Sequence, residues 1–257
     1  MKIWVQSGGA IGKDPQMGIY EQSLKRHVQE AARPDTIVDV YGVDLAPPRP
    51  DMYHLSEHVQ VSSLMTNARR AEKEGYDAFV VVCTADPGFY ELREMLNIPV
   101  VFILESSLHL ACLLAAKFSF LTHNEWLLLR VTERVKNYGL VERMTKGACL
   151  DLSHKDFNIM YENPQPYLDA LVEKGREVVA QGANIILVSG NPVHLFLFEH
   201  GVREIDGVPI LDVCRVAVKF GEFRVELNNM GINSSKKGLY IAPSKEELAT
   251  ILQLNRA

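Results

Sequence analysis

Short apolar runs alternate with helix-like segments along most of the chain. The runs are KIWVQS (2–7), TIVDVYG (36–42), AFVVVC (78–83), PVVFIL (99–104), FSFLT (118–122), ACLDL (148–152), IILVS (185–189) and PILDV (209–213). Most are rich in Val, Ile and Leu without clean alternation, the pattern of strands covered on both faces. Between them, LMTNARRAEKEG (64–75) and YLDALVEKGREVVAQG (167–182) read as helices. This alternation predicts an α/β fold with mainly parallel sheets and right-handed crossovers. The segment EFRVELNNMGINSSKKGLYIAP (222–243) shows only a helix end and a loop. Ser244 and Glu247 then form a capping box for a last helix over 245–254.

Two stretches of the pattern resemble each other. RRAEKEGYDAFVVVCTADPG (69–88) is followed by NIPVVFILESSLHLA (97–111), and KGREVVAQGANIILVSGNPV (174–193) by GVPILDVCRVAV (207–218). In each, a helix ends at a glycine, Gly75 or Gly182, suited to a left-handed C′ position. Asp77 or Asn184 comes two residues later, then an apolar strand, then Cys83 in one copy and Gly190 in the other. A period above 100 residues marks a duplicated half-protein rather than a solenoid. Ligands of open α/β sheets bind outside the carboxyl ends of the strands. Halves related by a pseudo-twofold axis would therefore bring Cys83 and Gly190 face to face across one cleft.

Composition narrows the class. With 257 residues, 47% hydrophobic and 23% charged, the chain reads as an ordinary globular protein of one large or two modest domains. A formal net charge of -5 gives no basic footprint for nucleic acid, so a small molecule is the expected partner. The first residues, MKIWVQSGG, read as a strand and not a signal peptide. The longest apolar stretch, around 107–121, is broken by His109 and Lys117 and falls short of the roughly 18 residues of a membrane span. The four cysteines, at 83, 112, 149 and 214, show no CxxC or disulfide-like spacing, which fits reduced thiols in the cytoplasm.

Candidate chemistry gathers at CTADPG (83–88). Asp86 reads as an N-cap and Pro87 as a first helical residue, so a helix is expected to begin just after Cys83. Its free N–H groups and positive end would favour a thiolate or a bound carboxylate there. Such a thiolate acts as a general base or as a nucleophile. Thr84 offers its N–H or hydroxyl to a substrate oxygen, or else closes the turn. Asn191 stands at the matching place in the other half, with the same two readings.

On the pieces AEKEGYDAFVVVCTADPG (71–88), NIPVVFILESSLHLA (97–111), GVPILDVCRVAV (207–218) and GINSSKKGLYIAP (231–243), the chain resembles the aspartate/glutamate/hydantoin racemase superfamily, in particular its hydantoin-racemase branch. The resemblance covers nearly the whole chain. It implies two pseudo-symmetric Rossmann-like lobes, each with a mainly parallel four-stranded sheet and with the active site in the cleft between them. The lobes divide as residues 1–102 with 212–257, and residues 103–211. It also implies no metal and no organic cofactor, and it admits a homo-oligomer. The substrate is expected to be a small carboxylate or hydantoin-like ring, held by the N–H groups after residues 83 and 190.

One departure matters. Racemases of this kind carry two cysteines that move a proton on opposite faces of the substrate carbon. Cys83 matches the first, while the second falls on Gly190, which has no proton to move. The N-terminal loop QSGGA (6–10) also lacks the asparagines typical of the family. Three outcomes follow. Cys83 works alone, as a one-base isomerase, which is the reading ranked first, or as a decarboxylase. It is the nucleophile of a hydrolase or ring-opening enzyme. Or His123, His194 or Cys214 replaces the missing thiol. Gln6, Ser7 and Thr122, at other strand ends, are candidates to bind a substrate carboxylate, and Glu105 to orient the cleft or cap a helix. A chain that lost one thiol and merely binds a small ligand is the non-enzymatic alternative.

Two further motifs are set aside. HLSEH (54–58) matches the inverted zincin pattern but lacks an evident third ligand, and it reads as a polar helix start. SGGAIGK (7–13) has the wrong glycine spacing for a phosphate loop and no hydroxyl after the lysine.

Overall fold

Each predicted apolar run forms a strand, and the strands divide between two sheets. The computed structural model describes residues 1–44, 46–153 and 156–254. The first part of the chain runs β1 (Lys2–Ser7), α1 (Gly18–Ala31), β2 (Ile37–Tyr41), α2 (His54–Lys73), β3 (Ala78–Val82), α3 (Glu91–Met95), β4 (Val100–Phe102) and α4 (Ile103–Leu114). The second runs β5 (Phe118–Thr122), α5 (Glu125–Asn137), β6 (Ala148–Cys149), α6 (Asp156–Glu162), α7 (Pro164–Ala180), β7 (Ile185–Ser189), α8 (Asn191–Glu199), β8 (Glu204–Ile205), β9 (Val208–Leu211), α9 (Val213–Asn229) and α10 (Lys245–Leu254).

The first sheet has the order β2-β1-β3-β4, and the second β6-β5-β7-β9-β8. Omitting β8, the second order is the first one repeated. All pairs are parallel except β8 with β9. β8 is the unpredicted strand, too short at two residues to show a pattern. The internal repeat extends to single bonds. Gly75 and Gly182 both have positive φ, +75 and +90, at the ends of α2 and α7. Two residues on, Asp77 accepts from Lys2 N at 2.7 Å, and Asn184 accepts from Lys117 N at 3.2 Å. Each side chain thereby pins the start of the neighbouring strand.

β3, β5 and β7 are buried at every position, as their unalternating apolar sequences require. Trp4 anchors one side of the first sheet, stacked on Tyr41 with centroids 3.6 Å apart. On the other side lies α9, beside β3 and β4 and against α4 and α1. A Cβ on Gly221 of α9 would meet Val80 Cγ2 at 2.9 Å, so glycine allows this approach. Among the described residues no helix is long and apolar enough to cross a membrane.

Two local expectations are corrected. The run 99–104 stops as a strand at Phe102, and Ile103 already begins α4. No turn residue marks the change. Nor does a helix begin at Pro87. Asp86 takes a positive φ of +47, residues 87–90 form turns, and α3 starts only at Glu91. Asp86 caps a different helix: its carboxylate accepts from Leu104 N at 3.0 Å and Glu105 N at 2.9 Å, in the first turn of α4. Tyr138 Oη adds a third bond at 2.6 Å.

Candidate active site

The carboxyl ends of β3 and β7 meet through one side chain. Asn191, the first residue of α8, donates from Nδ2 to the carbonyl of Val82, the last residue of β3, at 2.7 Å. The same nitrogen lies 3.5 Å from Tyr20 Oη, which is 3.2 Å from Ser7 Oγ at the end of β1. Asn191 Oδ1 is buried and has no partner among the described residues, so one acceptor remains for a ligand. The sequence-predicted Ser7 and Asn191 are thus brought together. Tyr20 joins them unannounced, because a tyrosine on an amphipathic helix reads as core.

Cys83 lies directly beyond Val82. The glycine turn after β1 closes over it: a Cβ on Gly8 would come within 3.0 Å of Cys83 Sγ and 2.7 Å of Gln60 Nε2. Gln60, buried on α2, fixes that turn by donating to Gly8 O at 2.7 Å. Burial pushes the Cys83 thiol up to about 12, while the Ala85 N–H pulls it partly back and the charges of Glu57, Asp86 and Asp51 raise it further. The thiolate-favouring helix terminus expected from the sequence does not exist, and the resting sulfur carries its proton.

Gly190 has φ +100, a conformation that favours glycine. A Cβ there would come within 2.4 Å of His123 Nδ1, so the imidazole stands where the side chain of a residue 190 would begin. His123 follows β5, and its Nε2 lies 3.4 Å from Asp51 Oδ2. The same carboxylate oxygen accepts from Asn124 Nδ2 at 2.7 Å. Asp51 comes from the loop before α2, so it reaches across the cleft to hold the start of α5. Its charge also acts on Cys83, which brings the two candidate proton carriers under one carboxylate.

The remaining predicted residues sort by their bonds. Gln6 is consumed internally, accepting from Trp4 Nε1 at 2.9 Å and Asn67 Nδ2 at 3.0 Å and donating to Ser7 O at 2.8 Å. Thr122 Oγ1 donates to Asn124 O at 2.8 Å and shapes the turn that presents His123. Thr84 is buried beside Cys83. His194 lies one turn into α8, fully buried, with Nε2 3.3 Å from Asp212 Oδ1. Cys214 is in the core, its pKa raised well above normal by burial. Glu105 pairs with Arg93.

An ion-pair cluster joining α2 to α5 supports the Cys83 loop. Glu57 binds Arg130 closely and Arg134 at 2.7 Å, and Arg134 Nε also donates to Ala85 O at 2.8 Å. His54 Nδ1 lies 2.6 Å from Arg130. The HLSEH glutamate is therefore occupied by two guanidinium groups. Asp51, Gln60 and this cluster carry no sequence signal, since each acquires its role from residues far along the chain.

The model of the Asp/Glu/Hydantoin racemase family matches residues 19–221. The hydantoin racemase of Pseudomonas sp. (strain NS671) is 29% identical over 233 residues, covering 90% of each chain. Among solved structures, the allantoin racemase of Klebsiella pneumoniae superposes with a TM-score of 0.76 at 21% identity, covering 95% of this chain and 94% of that one. The allantoin racemase of Pseudomonas fluorescens gives a TM-score of 0.77 at 20% identity over 95% and 97%.

Proposed function

The chain belongs to the Asp/Glu/Hydantoin racemase family and is an isomerase of that superfamily, and we propose that it inverts the C5 centre of a 5-substituted hydantoin ring. The observation that carries this reading is the imidazole of His123 in the space a residue-190 side chain would need. Two proton carriers, Cys83 and His123, then serve opposite faces of one carbon. The named relatives suit the substrate, because hydantoin and allantoin share one five-membered ureide ring.

Hydantoin C5–H is acidic because its electrons spread onto the C4 carbonyl as an enolate. In this reading His123, whose Nε2 faces Asp51 Oδ2 at 3.4 Å, is the base. It takes the C5 proton, the electron pair moves onto the C4 oxygen, and N–H donors after residues 83 and 190 hold the developing charge. The Cys83 thiol, protonated at rest, returns a proton to the opposite face. The reverse direction starts from the thiolate–imidazolium pair, which has the same number of protons. Ser7, Thr84, Thr122 and Asn191 shape the cradle. The division into residues 1–102 with 212–257 and residues 103–211 draws support, for the described part of the C-terminal segment, from α9 packing on the first sheet. Four unpaired thiols suit a cytoplasmic setting.

A second reading, one-base isomerisation or decarboxylation by Cys83 alone, is favoured by the absence of an ionisable side chain at residue 190. Resolved 5-substituted hydantoin in heavy water separates the two. The wild type is expected to exchange the C5 proton and lose optical purity together. Cys83→Ala and His123→Ala should each lower racemisation by about 10²–10⁴-fold. Racemisation undiminished in His123→Ala would reject His123 as second carrier. Exchange with retained optical purity in the wild type would establish the one-base reading. Cys83-dependent disappearance of the ring would instead indicate ring opening.

A further inference from the structure

Behind the reacting centre, two buried imidazoles converge on one carboxylate. His27 Nε2 lies 2.9 Å from both Oδ1 and Oδ2 of Asp212, and His194 Nε2 lies 3.3 Å from Oδ1. His27 belongs to α1, His194 to α8, and Asp212 is the residue that opens α9. One ligand atom from each of the three residues lies within 4.8 Å of the others. Ligand atoms around a tetrahedral zinc ion, each about 2.0–2.1 Å from the metal, stand roughly 3.3 Å apart. The Asp212 carboxylate is therefore already near that spacing from each imidazole.

We propose that His27, His194 and Asp212 bind one divalent transition-metal ion of the zinc class, clamping α1 to α8. The donor set is two imidazoles and one carboxylate, with a fourth position for solvent. Asp212 Oδ1, the oxygen shared by both imidazoles, also caps α9 by accepting from Arg215 N at 3.0 Å, so it would reach the metal through its remaining lone pair. The competing cation is Arg215, whose Nε is 3.5 Å from Oδ2. Its side chain is 42% exposed and already reaches Glu30 at 3.0 Å, so it can yield. His194 Nδ1 has no partner among the described residues, so no donor holds that atom as an acceptor. The ring proton can reside there when Nε2 becomes a ligand. Phe198 packs against both rings, with centroids 4.5 Å from His194 and 5.8 Å from His27, and supplies an apolar shell.

The ion does no chemistry on the substrate. Its helices begin, however, at the site. α8 starts with Asn191, and the first turn of α1 carries Tyr20, which touches Asn191 at 3.5 Å. An ion joining the same two helices one to two turns further along holds the seam beside Val82 and Cys83.

The test is titration of cobalt(II) into chelator-treated protein in a Cys83→Ser background, which removes the thiol of the neighbouring cleft. One equivalent is expected to give the visible d–d bands of a tetrahedral site. Zinc should displace it and raise the melting temperature by roughly 5–10 °C at a hundredfold excess over Kd. His194→Ala and His27→Asn should each lose both signals. The asparagine keeps an N–H donor for Asp212, so that variant guards against simple misfolding. Absence of bands in the parent protein, or their persistence in either variant, overturns the site.

Discussion

His123 and Gly190 share one space: the imidazole Nδ1 lies 2.4 Å from where a Cβ on residue 190 would be. Restoring a thiol by Gly190→Cys should therefore not restore a two-cysteine enzyme. The new side chain meets both the ring and a φ of +100. We expect a loss of about 1–3 kcal/mol in urea unfolding and racemisation below wild type. A gain in turnover would reject the assignment of His123.

The protonated state of Cys83 has a direct chemical readout. Burial pushes its pKa up to about 12. Alkylation by iodoacetamide follows the thiolate, so the rate at Cys83 should climb tenfold per pH unit without levelling off below about pH 10. Mass spectrometry of the labelled peptide distinguishes Cys83 from the partly exposed Cys112 and Cys149. A plateau near pH 8 would mean an activated thiolate instead.

Asp86 should make stability fall as pH rises. Burial lifts its pKa from 3.8 to about 7, against the pull of Tyr138, Leu104 N and Glu105 N. Between those values the folded protein holds a proton that the unfolded chain has released. Its contribution is complete below pH 3.8 and is lost as pH rises through about 7. Denaturant midpoints measured across that window should decline for the wild type. They should decline less for Asp86→Asn, and an equal decline would assign the effect elsewhere.

Glu57→Gln tests the support of the Cys83 loop. Glu57 joins buried Arg130 to Arg134, and Arg134 holds Ala85 O. Removing the charge leaves a buried guanidinium uncompensated, at a cost of about 3–5 kcal/mol. The same change removes a charge that raises the Cys83 pKa. Lower stability should therefore accompany faster alkylation of Cys83. Slower or unchanged alkylation would show that the cluster does not act on the thiol.

Legibility in the sequence followed the range of each interaction. The eight apolar runs were readable because burial on both faces of a parallel sheet leaves a local mark. The duplication was readable because Gly75 and Gly182 each need a left-handed turn before a strand. Asp86 misled because D-P is a good local cap, whereas its bonding partners lie 18 and 19 residues later. Cys83 was found from the repeat and the resemblance. The relation of His123 to Gly190, and the reach of Asp51 to both His123 and Asn124, join residues 67 to 73 positions apart and exist only after the lobes close.

The carboxylate that caps α4 belongs to the loop carrying the thiol, and this divides the cleft mechanically. Cys83, Asp86 and the first turn of α4 form one stiff body, because shifting the loop would strip a helix of its cap. On the opposite walls, Gln60 and the Val43 N–H hold the Gly8 turn, and Asp51 contacts His123 and Asn124. Asp51 thus ties the loop before α2 to both His123 and the start of α5, so a single substitution at Asp51 would loosen the proton carrier and the helix cap together.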